Sequence, residues 1–226
     1  MPILNGEPVP VELPLPELAR MLDSPDMTGF ALACRALSLR KTPDCYTLLR
    51  NRFPHRDPYR HRCLLEALYV FPQSAELADY VAQALFSRQE YLVCTALQGI
   101  IRGHFTATDA LLLTALDQNL DYIVGNYFQV LNYLEKTDEN FQAILSMFRR
   151  SSGQQRAAIA RELSYWATSE NCQVLFDLLC NEPSSQIRLV GIRIANEFGR
   201  SDLLHSHKDD PDGHIRKLIA KGADNP

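Results

Sequence analysis

An all-α chain, a right-handed α-solenoid of about seven helix pairs, is what three observations in the sequence predict. A small residue recurs inside every second helical segment: Cys34, Cys63, Cys94, Gly125, Ala158, Gly191 and Ala220, at successive intervals of 29, 31, 31, 33, 33 and 29. Self-similarity at such a period marks stacked supersecondary units. Helix-start residues recur where the period requires them, and strand patterns are nearly absent. Helix pairs repeated in this way bury their apolar faces only against neighbouring pairs.

Taken in order, residues 1–15 form a Pro-rich segment containing PVPVELPLP, which either docks on an aromatic groove of another protein or packs over the first helix pair. The repeat array occupies residues 16–222 and a short tail 223–226. Second helices begin after Ser24 and Pro25, Asp57 and Pro58, Ser87, Asn119, Ser152, Ser184 and Asp212. First helices are capped by Thr42 and Pro43, Ser74, Thr106 with Asp109 three residues on, Ser169 and Ser201. Such side chains accept hydrogen bonds from the unpaired amides of a first turn, and proline there loses no bond.

The last two units, NEPSSQIRLVGIRIANEFGRSD and DDPDGHIRKLIAKGA, share a polar turn, an Ile-Arg pair near the helix start (Ile187 with Arg188, Ile215 with Arg216), a small residue three or four positions on, and a glycine after the helix. They resemble HEAT repeats of the short kind found in phycobilisome lyases. The resemblance implies a helical scaffold, with one enzymatic branch acting on protein-bound chromophores; toward the N-terminus only the periodicity and the small-residue column persist.

Composition narrows the function. The chain is 46% hydrophobic and 22% charged with a net charge of −4, which fits a soluble globular protein without an overall basic excess. The positive charge is local: residues 35–62 carry +6, leaving −10 for the rest. Six scattered cysteines without a CxxC pair suit reduced, buried thiols. The N-terminus has neither a basic region nor a continuous apolar core of a leader, no run reaches transmembrane length, and a cytoplasmic location without membrane insertion is expected.

Within the basic segment, RNRFPHRDPYRHR places five arginines and two histidines in thirteen positions. Arg52, Arg56, Arg60 and Arg62 are candidate anion-binding residues, Phe53 and Tyr59 candidate stacking partners, and acidic side chains of adjoining repeats the competing explanation. DNA-repair enzymes built from HEAT-like helices are similar in length; that resemblance would imply a basic groove lined by tryptophans, whereas Trp166 is the sole tryptophan here. HSHKDDPDGH at 205–214 holds three histidines and three aspartates, but His205 and His207 would diverge by about 200° on a helix, so the segment reads as a turn and N-cap and not as a metal site. GxSxG, P-loop and GxGxxG motifs are absent, and no catalytic residue or cofactor is assigned.

The surface expected to carry function is the concave one. At about 100° per residue, positions −3, +1, +4 and +8 from each small residue share a narrow sector. They are occupied by Tyr91, Thr95, Gln98 and Arg102, by Tyr122, Asn126, Gln129 and Tyr133, and by Gln155, Glu162 and Trp166. Stacked repeats would align these into a ladder of aromatics and amides suited to a protein or peptide. The expected function is a non-enzymatic interaction scaffold, and the alternative a nucleic-acid-binding or DNA-repair-like helical-repeat protein using the arginines of 50–62.

Overall fold

The computed structural model describes residues 3–4, 6–123 and 125–223. The described residues form an all-α fold of seven successive helix pairs. The first members are α1 (Leu15–Asp23), α3 (Pro43–Arg50), α5 (Ala75–Leu85), α7 (Asp109–Gln118), α8 (Asp138–Arg150), α10 (Cys172–Cys180) and α12 (Ser201–Ser206). The second members are α2 (Met27–Arg40), α4 (Pro58–Leu68), α6 (Glu90–Ile101), a 3-10 helix over Gly125–Tyr133, α9 (Gly153–Leu163), α11 (Ser185–Glu197) and α13 (Gly213–Ala223). The chain divides into two compact units, Met1–Ala107 and Thr108–Pro226.

In the first unit α2, α4 and α6 pack in succession, each flanked by its first helix. Phe30, Leu37, Leu64, Leu65 and Leu97 are fully buried there, each side chain contributing about 1.5–3 kcal/mol of apolar transfer free energy. In the second unit the 3-10 helix, α9, α11 and α13 pack in succession around Phe128, Ile159 and Ile192. This order explains the small-residue column. A Cβ on Gly191 would stand 2.6 Å from the Cys180 sulfur, and one on Gly125 3.2 Å from the Ala158 Cβ. Cys34, Cys94 and Ala158 are buried, Cys63 is half-buried, and Ala220 is exposed, so the column does not pack uniformly.

Caps follow the sequence in part. Asp57, Thr42, Ser74 and Asp212 each accept a first-turn amide hydrogen as expected. Elsewhere the cap moves: Asp26 rather than Ser24 caps α2, and Thr108 rather than Thr106 caps α7. Ser87, Ser152 and Ser184 make no side-chain cap bond to the helices they precede, and Asn119 closes α7 by donating to the Ala115 carbonyl. The Pro-rich start lies on the first pair: Arg40 donates to the Val11 and Leu13 carbonyls and Val9 is buried. Its beginning forms a two-residue antiparallel pairing, Ile3–Leu4 with Glu7–Pro8, which the sequence did not suggest. Residues 224–226, most of the expected tail, lie outside the described residues.

An arginine ladder runs through the second unit. Arg156, Arg188 and Arg216 each stand four residues after the N-terminal flanking residue of α9, α11 and α13. Arg156 donates to Glu182 and to the Phe148 carbonyl; Arg188 donates to Asp210 at 2.8 and 3.0 Å and to the Glu182 and Pro183 carbonyls. Arg216 donates to the Asp210 and Pro211 carbonyls, so each guanidinium satisfies carbonyls at a first-helix end or the turn after it, while Arg156 and Arg188 also pair with an acid in the turn of the next repeat. The Ile-Arg pairs picked out by the HEAT resemblance are these positions.

Candidate functional site

The basic stretch is largely committed within its own unit. Arg52 forms a bidentate pair with Asp23 at 2.8 Å, and Arg50 pairs with Glu76. Arg60 lies 4.8 Å from the Phe30 ring centroid and donates to the Ser24 carbonyl at 2.5 Å. Arg62 bonds Glu66 one helical turn on, at 2.8 Å. Arg56 is exposed and has no ion pair among the described residues. Phe53 is buried edge-on to His61 and Tyr80, so it cannot stack on a ligand, whereas Tyr59 is 42% exposed. Burial lowers the pKa of the His61 imidazole, and His61 spends its ring nitrogens on the Tyr80 hydroxyl and the His55 carbonyl.

The His-Asp segment is also used internally. Asp210 holds Arg188, Asp212 caps α13, and His207 packs its ring edge-on against Phe176 at 4.9 Å. The cysteines are free; burial pushes the Cys63 thiol up to about 11 and Cys180 to about 12, which keeps both protonated.

The expected concave ladder is only partly assembled. In the third pair Thr95 is buried, Tyr91 is half-buried and donates to Gln89, Gln98 is half-buried, and Arg102 is exposed at the end of α6. In the fifth pair two positions are overturned. Trp166 is 4% exposed and donates its indole hydrogen to the Leu131 carbonyl at 3.2 Å; Glu162 is 1% exposed. The reason is local: α9 stops at Leu163 and a 3-10 turn over Ser164–Trp166 breaks the helical phase, swinging the indole inward beneath Lys136, whose ammonium stands 3.9 Å from the ring centroid. Tyr165, not among the expected residues, takes the exposed position at 64%.

The fourth pair contains the strongest constellation. Residues 125–133 form a 3-10 helix where an α-helix was expected, and in this geometry residues three apart eclipse. Asn126, Gln129 and Asn132 therefore share one face, opposite Phe128 and Leu131, which are fully buried. The α-helical phase had put Tyr133 in this row in place of Asn132. Tyr133 instead stands beside it, 58% exposed. A recess of about 370 Å³ is lined by Gln129, Asn132, Tyr133, Arg161, Glu162 and Tyr165. In it the Asn132 amide nitrogen donates to Glu162 Oε2 at 2.7 Å, while Arg161 donates to Glu162 Oε1. That orientation leaves Asn132 Oδ1 buried without a hydrogen-bond partner.

No protein-family model matches the sequence, and no curated protein matches it. Among solved structures, the chain is similar to an engineered protein at 14% identity and TM-score 0.31, covering 92% of this chain and 94% of that one. It is similar also to a designed armadillo repeat protein at 12% identity and TM-score 0.33, covering 93% of this chain and 99% of that one. Likeness at these scores carries no argument about fold or partner, and the helix-pair architecture stands on the packing described above.

Proposed function

We propose that this protein is a non-enzymatic interaction module that holds a partner's extended peptide along the amide row of residues 125–133. The observation that carries this reading is the eclipsed row Asn126, Gln129, Asn132 on a nine-residue 3-10 helix. At about 2.0 Å rise per residue, successive amides are about 6 Å apart, close to the ~6.6 Å that two residues of an extended chain span. Primary amides both donate and accept, so the exposed Asn126 and Gln129 can each engage a peptide N–H and C=O without reading the side chain, while Asn132 is held by Glu162 at the inner end of the row. Tyr133 and Tyr165 present large, stiff rings at the edge of the same recess, the residue type that anchors interfaces.

The test is selection of displayed random peptides on the full chain, followed by affinity measurement. Selected peptides are expected to bind and to weaken by about tenfold or more on an Asn126→Ala/Gln129→Ala/Tyr133→Ala variant with unchanged circular dichroism. N-methylation at alternate peptide residues is expected to abolish binding, because it removes the backbone donors that the amides engage. Equal affinity for the variant, or tolerance of N-methylation throughout, would refute this reading.

A further inference from the structure

The second helices of the first unit enclose a separate recess of about 340 Å³. Its floor consists of small side chains, Ala31 and Cys34 from α2 and Cys63 and Ala67 from α4, which give it depth. Around this floor stand Arg35 from α2, Arg62 from α4 and Arg102 at the end of α6, together with Tyr59 and Glu66. Three guanidinium groups from three successive repeats thus face one carboxylate. Arg62 is tied to Glu66, whereas Arg35 and Arg102 are exposed and have no acidic partner among the described residues. The two thiols stay protonated, because burial raises both, and add no negative charge.

The lining carries a net charge of +2 by count of these side chains. A planar guanidinium fork matches the oxygens of phosphate and carboxylate. A phosphate monoester carries about −1.5 to −2 at neutral pH and matches the lining in sign and size of charge. The volume falls within the ~300–1,000 Å³ of small-ligand sites and excludes a run of polymer backbone. Tyr59, half open at the rim, offers a ring face to the organic part of such a ligand. We propose that this recess binds a phosphate monoester, carried by a small molecule or by a phosphorylated side chain, with Arg35, Arg62 and Arg102 as its anion-binding residues. The site is independent of the peptide reading, which concerns the second unit.

Calorimetric titration of the full chain with phenyl phosphate, in a phosphate-free buffer of low ionic strength, tests the proposal. Saturable one-to-one binding is expected. The pair Arg35→Gln and Arg102→Gln should weaken it about tenfold or more, because each removes a charged hydrogen bond while leaving exposed positions that do not bear on folding. Cys63→Leu, which fills the recess at constant charge, should weaken it as well, and Arg56→Gln, in the same basic stretch but outside the recess, should leave it unchanged. Absence of saturable binding, wild-type affinity in the double arginine variant, or an equal loss in Arg56→Gln overturns the proposal. A phosphotyrosine peptide tested beside phenyl phosphate separates the two sources: tighter binding of the peptide assigns the phosphate to a protein, equal binding to a small molecule, and either result supports the site.

Discussion

At the scale of single residues, Trp166 and Asp210 mark where side chains leave the roles their positions in the sequence suggest. Trp166 sits in the expected ladder register, yet its burial and its bond to the Leu131 carbonyl make it a core residue. Trp166→Ala is expected to destabilise the fold by about 3–5 kcal/mol in chemical denaturation, the range for losing a buried aromatic side chain. A change confined to binding would contradict this placement. Asp210 belongs to a turn rich in charge, and nothing in its neighbours reveals that it answers Arg188, twenty-two residues earlier. The hydrogen bond from Arg188 holds its carboxyl below the usual value, and the bond from the Asp212 amide adds to this. A depressed folded-state pKa gives stability that is present above the unfolded value and is lost as pH falls through the folded one. Asp210→Asn leaves the Arg188 charge nearly buried and unanswered, at a cost of about 3–5 kcal/mol near neutrality. The gap to the unmodified protein should narrow as pH drops below about 4. A gap that stays constant down to pH 2 would exclude the pair as its source.

At the scale of elements, the pairing of helices was legible because its cause is repetitive: small residues return at the same helix contacts, and Gly191 shows why. An alanine methyl there would meet the Cys180 sulfur at 2.6 Å and Leu179 Cβ at 3.2 Å. Overpacking of about 1–3 kcal/mol then opposes the ~1 kcal/mol that Gly→Ala gains in a helix, so Gly191→Ala should destabilise. Adding Cys180→Ala removes the obstructing sulfur and should recover part of the loss, a non-additive result readable from denaturation midpoints. Gly125→Ala, with a single contact at 3.2 Å, should cost less. The 3-10 helix was not legible. In GNYFQVLNY the apolar residues Phe128, Val130 and Leu131 fit a period of 3.0 and one of 3.6 equally well over so short a stretch. The amide row followed from that choice, so sequence periodicity named Asn126 and Gln129 but missed Asn132. Caps slipped by two residues for a similar reason, since Ser24 and Asp26 are chemically equivalent candidates and only the path of the turn selects one.

At the scale of the molecule, the helices of each unit touch chiefly their neighbours in sequence. Much of the charge segregation visible in the composition serves packing, because Arg50, Arg52 and Arg60 are used to join elements of the first unit. Arg56 within the stretch, and Arg35 and Arg102 outside it, are exposed without an ion pair among the described residues, and the latter two line the recess. In the second unit α11 packs against α9, α10, α12 and α13, whereas α7 packs against α8. Stability in such an array is a sum of pair terms and neighbour terms, so a cavity at one junction should be felt in order of distance along the stack. Ile192 is fully buried on α11, and Ile192→Ala removes about 2–5 kcal/mol at its junctions. Native-state hydrogen exchange is expected to show the largest loss of protection in α11, α12 and α13, a smaller one in α9, and the least in α7. A uniform loss across residues 108–226 would instead mean that the four pairs open as a single cooperative block.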